Sequence, residues 1–106
     1  MNNKIYISGP MTGLPNHNFP AFNESEENLR HLGWDPVNPA KINPDPGHTW
    51  EQCLRKDIAA LMDCDTLALL PGWTDSKGAH LEVAVAHRVG IKIVYIADVY
   101  SGIAAK

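Results

Sequence analysis

Clusters of positive charge are missing from this sequence. Nine lysines and arginines are scattered along 106 residues, against twelve acids, for a formal charge of −3. That excludes a groove tracking a phosphate backbone, so no nucleic-acid polymer is expected as a partner. Long apolar runs are missing too. None approaches the ~20 residues of a membrane span, and no membrane partner is expected. Met1-Asn2-Asn3-Lys4 leads straight into a strand-like run, so no secretory leader is expected and the protein reads as cytoplasmic. Cysteine is scarce. Cys53 and Cys64 fit neither a CxxC nor a zinc spacing and read as reduced, buried thiols. Of the five histidines, His80 and His87 share a helix face, but it is the polar one and no carboxylate at ligand spacing completes a set, so no metal site is expected. Without a GxSxG elbow a serine triad lacks support, and without GxGxxG or a P-loop ending the dinucleotide reading is weak and the P-loop reading fails.

What remains is an ordinary globule, 44% apolar and 20% charged, read as one domain over residues 1–106. Glycine and proline punctuate it clearly. Lys4–Ser8 is a strand closed by Gly9-Pro10. Residues 10–19 have loop chemistry, and Pro20 suits the first turn of a helix that carries Phe22, Leu29 and Leu32 on one face and stops at Gly33. Trp34–Asn38 is a weak strand whose proline suits a sheet edge. Residues 39–48 form a long, proline-rich loop of the kind that often covers a site. Thr49-Trp50-Glu51-Gln52 matches a capping box and opens a second helix, running to about Asp63. Asp65–Leu70 is a third strand, Ser76 or Lys77 to Arg88 a third helix, and Ile91–Ile96 a fourth strand. This alternation predicts an α/β fold, a Rossmann-like or flavodoxin-like three-layer sandwich around a four- to five-stranded parallel sheet. Ligands of such folds sit outside the carboxyl ends of the strands.

Two carboxylates fall where apolar residues belong. At roughly 100° per residue, Trp50, Cys53, Leu54, Ile58, Leu61 and Met62 define the apolar arc of the second helix, and Asp57 lies inside it. Ala79, Val83, Val85, Ala86 and Val89 define that of the third, with Glu82 near its middle. A carboxylate on a buried face is costly unless paired or functional. Both occur early in helices that start at the carboxyl edge, so both are expected to face one crevice. Each could also be a core acid bonded to Arg55, a loop amide or a tyrosine. Two such acids at one cleft edge favour acid–base or nucleophilic work. Around that edge, Ser8-Gly9-Pro10-Met11-Thr12-Gly13 is either a ligand loop or a plain turn. Ser76 suits an N-cap, with neighbouring amides turned to an anion. Phe19, Trp73 and Trp50 could stack on a flat base or pack in the core, and for Trp50 packing is the better reading.

Ile5-Tyr6-Ile7-Ser8-Gly9-Pro10, the Asp57 helix, Cys64-Asp65-Thr66-Leu67 and Ser76-Lys77-Gly78-Ala79-His80-Leu81-Glu82 together resemble the nucleoside 2-deoxyribosyltransferase superfamily. That superfamily includes the 2′-deoxynucleoside 5′-phosphate N-hydrolases and small deoxyribosyltransferase-like proteins, many of them phage-borne. The resemblance spans nearly the whole chain in order. It implies Glu82 as nucleophile at C1′ of the sugar, Asp57 as the acid serving the leaving base, and Tyr6 as the group holding the nucleophile. With the loop, the aromatics and the α-helix start read above, the candidate substrate site is Ser8, Gly9, Met11, Thr12, Gly13, Phe19, Trp73, Ser76 and Gly78. Ser76 in place of the transferases' Asp tilts the substrate toward a 5′-phosphate. It further implies a small nucleoside or nucleotide as partner, self-association, and no metal or redox cofactor. The chain departs from the pattern in its length, its four clear strands, and the lack of any Asn after Asn43. The resulting reading is cleavage or transfer at an N-glycosidic bond. The alternative is a non-catalytic nucleotide-binding module on the same scaffold.

Overall fold

The structure, a computed structural model, describes residues 2–42 and 47–104. Strand β1 is Lys4–Ser8 and helix α1 is Phe19–His31, preceded by a 3-10 turn at Pro15–Asn18. Strand β2 is Asp35–Val37, and helix α2 is a single turn at Pro39–Ile42. Helix α3 is Trp50–Leu61 and strand β3 is Thr66–Leu69. A 3-10 turn at Trp73–Asp75 leads into helix α4, Lys77–Val89. Strand β4, Lys92–Tyr95, runs directly into helix α5, Ile96–Ser101.

The four strands pair in parallel in the order β2-β1-β3-β4, with the proline-bearing β2 at an edge. The chain steps outward from β1 to β2, then crosses back to β3. Strand order therefore reverses between β1 and β3, where the connections leave toward opposite faces and open a crevice.

Alternation along β1 divides its side chains between the two faces. Ile5 and Ile7 join Phe22, Leu29, Ala68, Leu70, Ile96 and Val99 in a core under α1 and α5. Tyr6 joins Leu61, Cys64, Leu67, Leu69 and Ala86 in a second core under α3 and α4. The result is the expected three-layer sandwich. Ile5, Ile7, Phe22, Leu29, Leu61 and Leu67 are fully buried. Each such side chain contributes roughly 1.5–3 kcal/mol over its exposed state.

Local signals explain most boundaries. Both bonds of the capping box form: the Gln52 amide donates to Thr49 Oγ1 at 3.1 Å, and the Thr49 amide to Gln52 Oε1 at 2.8 Å. Gly90 ends α4 at φ 81°, a left-handed position that favours glycine. Gly9 is needed for space: a Cβ there would lie 2.8 Å from Leu70 Cβ, where β1 exits beside the end of β3. Asn38, buried at the end of β2, donates to Asn23 Oδ1 and Glu26 Oε1 at 2.9 and 3.0 Å, tying that strand to α1.

Several expectations are corrected. Leu32 is the C-cap of α1 and is exposed, because the helix ends at His31 and Leu32 does not continue its buried face. Met62 and Val89 are also exposed, so both apolar arcs are narrower than the wheel implies. Residues 39–42 of the expected loop form α2, while residues 43–46 lie outside the described residues. The closing segment, left without assignment by the sequence, forms α5 and covers the β4 end of the first core.

Candidate active site

A cleft of about 780 Å³ opens at the carboxyl edge of the sheet. One wall is the segment after β1, with Gly9, Pro10, Met11 and Thr12, and the start of α1. Opposite stand α3, through Trp50, Cys53 and Asp57, and the first turns of α4, from Ser76 to Glu82.

Glu82 is 5% exposed. Tyr6 Oη donates to its Oε2 at 2.6 Å, and Ser8 Oγ donates to its Oε1 at 2.7 Å. These distances are short, as expected for hydroxyls bonded to an ionised oxygen. Among the described residues no cation pairs with Glu82; the ion pairs found involve Glu26 with Arg30 and Lys41. Burial pushes the Glu82 carboxyl up to about 7, against the opposing pull of its bonds to Tyr6 and Ser8, with the nearby Asp57 charge adding to the rise. Burial, and then the Glu82 charge, hold the Tyr6 phenol well above its ordinary range, so it stays a proton donor. Asp57 is half-buried one helix away and lines the same cleft. The two acids thus share a crevice, as their early positions in α3 and α4 imply.

Met11, Thr12, Gly9, Phe19, Ser76 and Gly78 line the cleft as well. Ser76 Oγ caps α4 by accepting from the Ala79 amide at 3.1 Å. Three residues of the expected set stand elsewhere. Ser8 is fully buried behind Glu82, because it shares the parity of Tyr6 on β1, and so addresses the carboxylate rather than the cleft. Gly13 lies beyond the lining, with nothing within 4 Å of a Cβ built there. Trp73 packs against the second core and its ring meets that of His80 at a tilt of 48°, centroids 5.1 Å apart, outside the cleft lining.

Trp50 corrects the expectation of core packing. It is 44% exposed and lines the cleft, with Lys77 Nζ 5.3 Å from its ring centroid. Cys64 is buried and its thiol is pushed up to about 11 by burial, whereas Cys53 reaches the cleft. His17 was missed by sequence reasoning. It sits at the cleft with its ring 5.7 Å from that of Phe19. Asn16, His17 and Asn18 have φ of 52°, 52° and 59°, three consecutive left-handed residues without a glycine. Asn tolerates this conformation, and Asn18 Nδ2 anchors the turn by donating to Pro10 O at 2.9 Å. Aromatic rings thus stand on two walls, an arrangement suited to a planar ligand.

Gly78 keeps part of the cleft open. A Cβ there would meet only Ser76 Oγ at 3.9 Å and Trp50 Nε1 at 4.0 Å, which are ordinary contacts. Gly78→Ala is therefore expected to fold normally and gain up to about 1 kcal/mol, while filling ligand space. Thermal melts beside ligand titrations check this: unchanged affinity would show that the space is not used.

The sequence model of a family described as a domain of unknown function, DUF4406, matches residues 3–95. No curated protein matches the sequence. Among solved structures, a 2-deoxyribosyltransferase from the psychrotolerant bacterium Bacillus psychrosaccharolyticus, described as a biocatalyst for nucleoside synthesis, is similar in fold. Its TM-score is 0.70 at 19% identity, over 87% of this chain and 70% of that one.

Proposed function

The chain belongs to the DUF4406 family, within the nucleoside deoxyribosyltransferase-like superfamily, and from that premise we propose that it breaks or exchanges an N-glycosidic bond. The substrate is a nucleoside or nucleoside 5′-phosphate, and the reaction passes through a glycosyl ester of Glu82. One observation carries this reading. Glu82 lies at the strand-end cleft, buried, bonded only by hydroxyls and unneutralised by any cation among the described residues. A carboxylate in that state costs stability, and once ionised it has no cation to compete for the electron pair a nucleophile needs.

In the first step a Glu82 oxygen forms a bond to C1′ as the C1′–N bond breaks. The bonding pair leaves with the base, and Asp57, which takes up a proton from solvent as the substrate binds beside it, delivers that proton to the base. The sugar passes through an oxocarbenium-like state that the carboxylate stabilises before trapping it. Water or a second base then attacks C1′, gives its proton to Asp57 and releases Glu82. Tyr6 keeps its proton throughout and holds the carboxylate.

The test is base release from separate deoxynucleosides, deoxynucleotides, ribonucleotides and nicotinamide dinucleotides, followed by chromatography. Release of base from one class, rising with pH through about 7 as Glu82 ionises, is the expected result. Saturable binding of one nucleotide with no base released from any class would instead favour the binding-module reading.

A further inference from the structure

Glu82 is held by two hydroxyls that differ in kind. Tyr6 is wedged by its ring in the core under α3 and α4. Ser8 has no such body, yet its side chain is fully buried and its Oγ lies 2.7 Å from Glu82 Oε1. The torsion that turns a glutamate carboxylate about its last bond is broad. One hydrogen bond to Oε2 would leave that rotation free. A second, to Oε1 from two residues further along the same strand, fixes the plane. The strand supplying both is paired on its two sides, and the Leu70 amide donates to Ser8 O at 2.8 Å.

We propose that Ser8 is a positioning residue, which sets the plane and the ionisation of the Glu82 carboxylate without touching the substrate. The inference rests on the proposed role of Glu82 and goes beyond it, because it assigns the orientation of that carboxylate to a second hydroxyl. An exposure of 0% bars Ser8 from the cleft, so its influence has to pass through Glu82. Three groups act on that carboxyl: Tyr6 and Ser8 from β1, and Asp57 from α3. The other ionisable groups lining the cleft are His17, His48, Cys53, Asp75 and Lys77, and a change at Ser8 leaves them in place.

The experiment is Ser8→Ala, read two ways. In the base-release assay kcat is expected to fall by about tenfold to a hundredfold, the cost of a misplaced reacting group, with KM unchanged. The acidic limb of the pH profile is expected to move to higher pH, since a bond favouring the charged form is gone. Independently of activity, the titration of Glu82 followed by carboxyl carbon NMR is expected to shift upward in the same variant. A rise in KM with kcat intact would make Ser8 a substrate contact and overturn the proposal. So would an unmoved titration midpoint. Wild-type protein that releases no base, combined with a shifted midpoint, would remove the glycosidic reading and leave the Ser8–Glu82 coupling standing. Ser8→Cys, which keeps the size and weakens the donor, carries the same two readouts with smaller shifts should Ser8→Ala fail to fold.

Discussion

Glu82→Gln is expected to abolish base release and, at pH 8, to raise the melting temperature. The two effects share one cause. In the unfolded chain the carboxyl titrates near 4.5; in the folded protein burial holds it at about 7. The folded state therefore keeps a proton that the unfolded state gives up between those values. Stability from this group is full below pH 4.5 and is lost as pH rises to 7 and beyond. The difference of about 2.5 units corresponds to roughly 3 kcal/mol at pH 8. Glutamine has the same shape and no charge to desolvate, and the hydroxyls of Tyr6 and Ser8 can accept from its amide as well as donate. It recovers up to that amount, and in a domain of this size 1 kcal/mol moves Tm by roughly 4–8 °C. An amide cannot form the glycosyl ester, so turnover falls by at least about a thousandfold. Melting curves at pH 5 and pH 8 check the first half, with the gain confined to the higher pH. A variant that melts lower at both would mean that Glu82 is a stabilising fixture of the core.

Asp57→Asn is expected to lower base release by about a hundredfold to ten thousandfold, the usual contribution of a general acid or base. It also carries a signature in pH. The Asp57 charge helps to keep the Glu82 carboxyl high, and an amide removes that repulsion. The acidic limb of any residual activity is then expected to move to lower pH, opposite in sign to the shift expected on losing the Ser8 bond. A rate profile over pH 5 to 9 separates the two. A fall in rate with the limb unmoved would mean that Asp57 acts on the base alone and does not reach Glu82.

How much of this was legible in the sequence depends on range. The order of strands and long helices follows from local punctuation: Gly33 and Gly90 stop helices, Thr49 and Gln52 start one, and Pro36 marks an edge strand. The placement of Asp57 and Glu82 on one cleft follows from helical period and direction. What escaped needs knowledge of which face meets what. Trp50 and Trp73 exchange their expected places, because an apolar arc records burial against something without naming the sheet, a neighbouring helix or a ligand. Helices α2 and α5 span four and six residues and offer too little period to detect. The left-handed turn at Asn16–Asn18 had a signal in its two asparagines, but no glycine to draw attention to it. Ser8 adjoins the glycine loop in sequence, and its parity with Tyr6 is the signal that sets it on the carboxylate instead.

The division of β1 has a consequence for insertions and deletions. Its odd residues serve one core; its even residues serve the other and the carboxylate. Side chains along a strand alternate with a period of two, so moving the register by one residue exchanges those roles. Isoleucines would then stand where the hydroxyls hold Glu82, and Tyr6 and Ser8 would face α1. Residue types within β1 can drift while hydroxyls and hydrocarbon keep their parity. Its length cannot, since a one-residue change there would unpack both cores and unclasp the carboxylate in the same event.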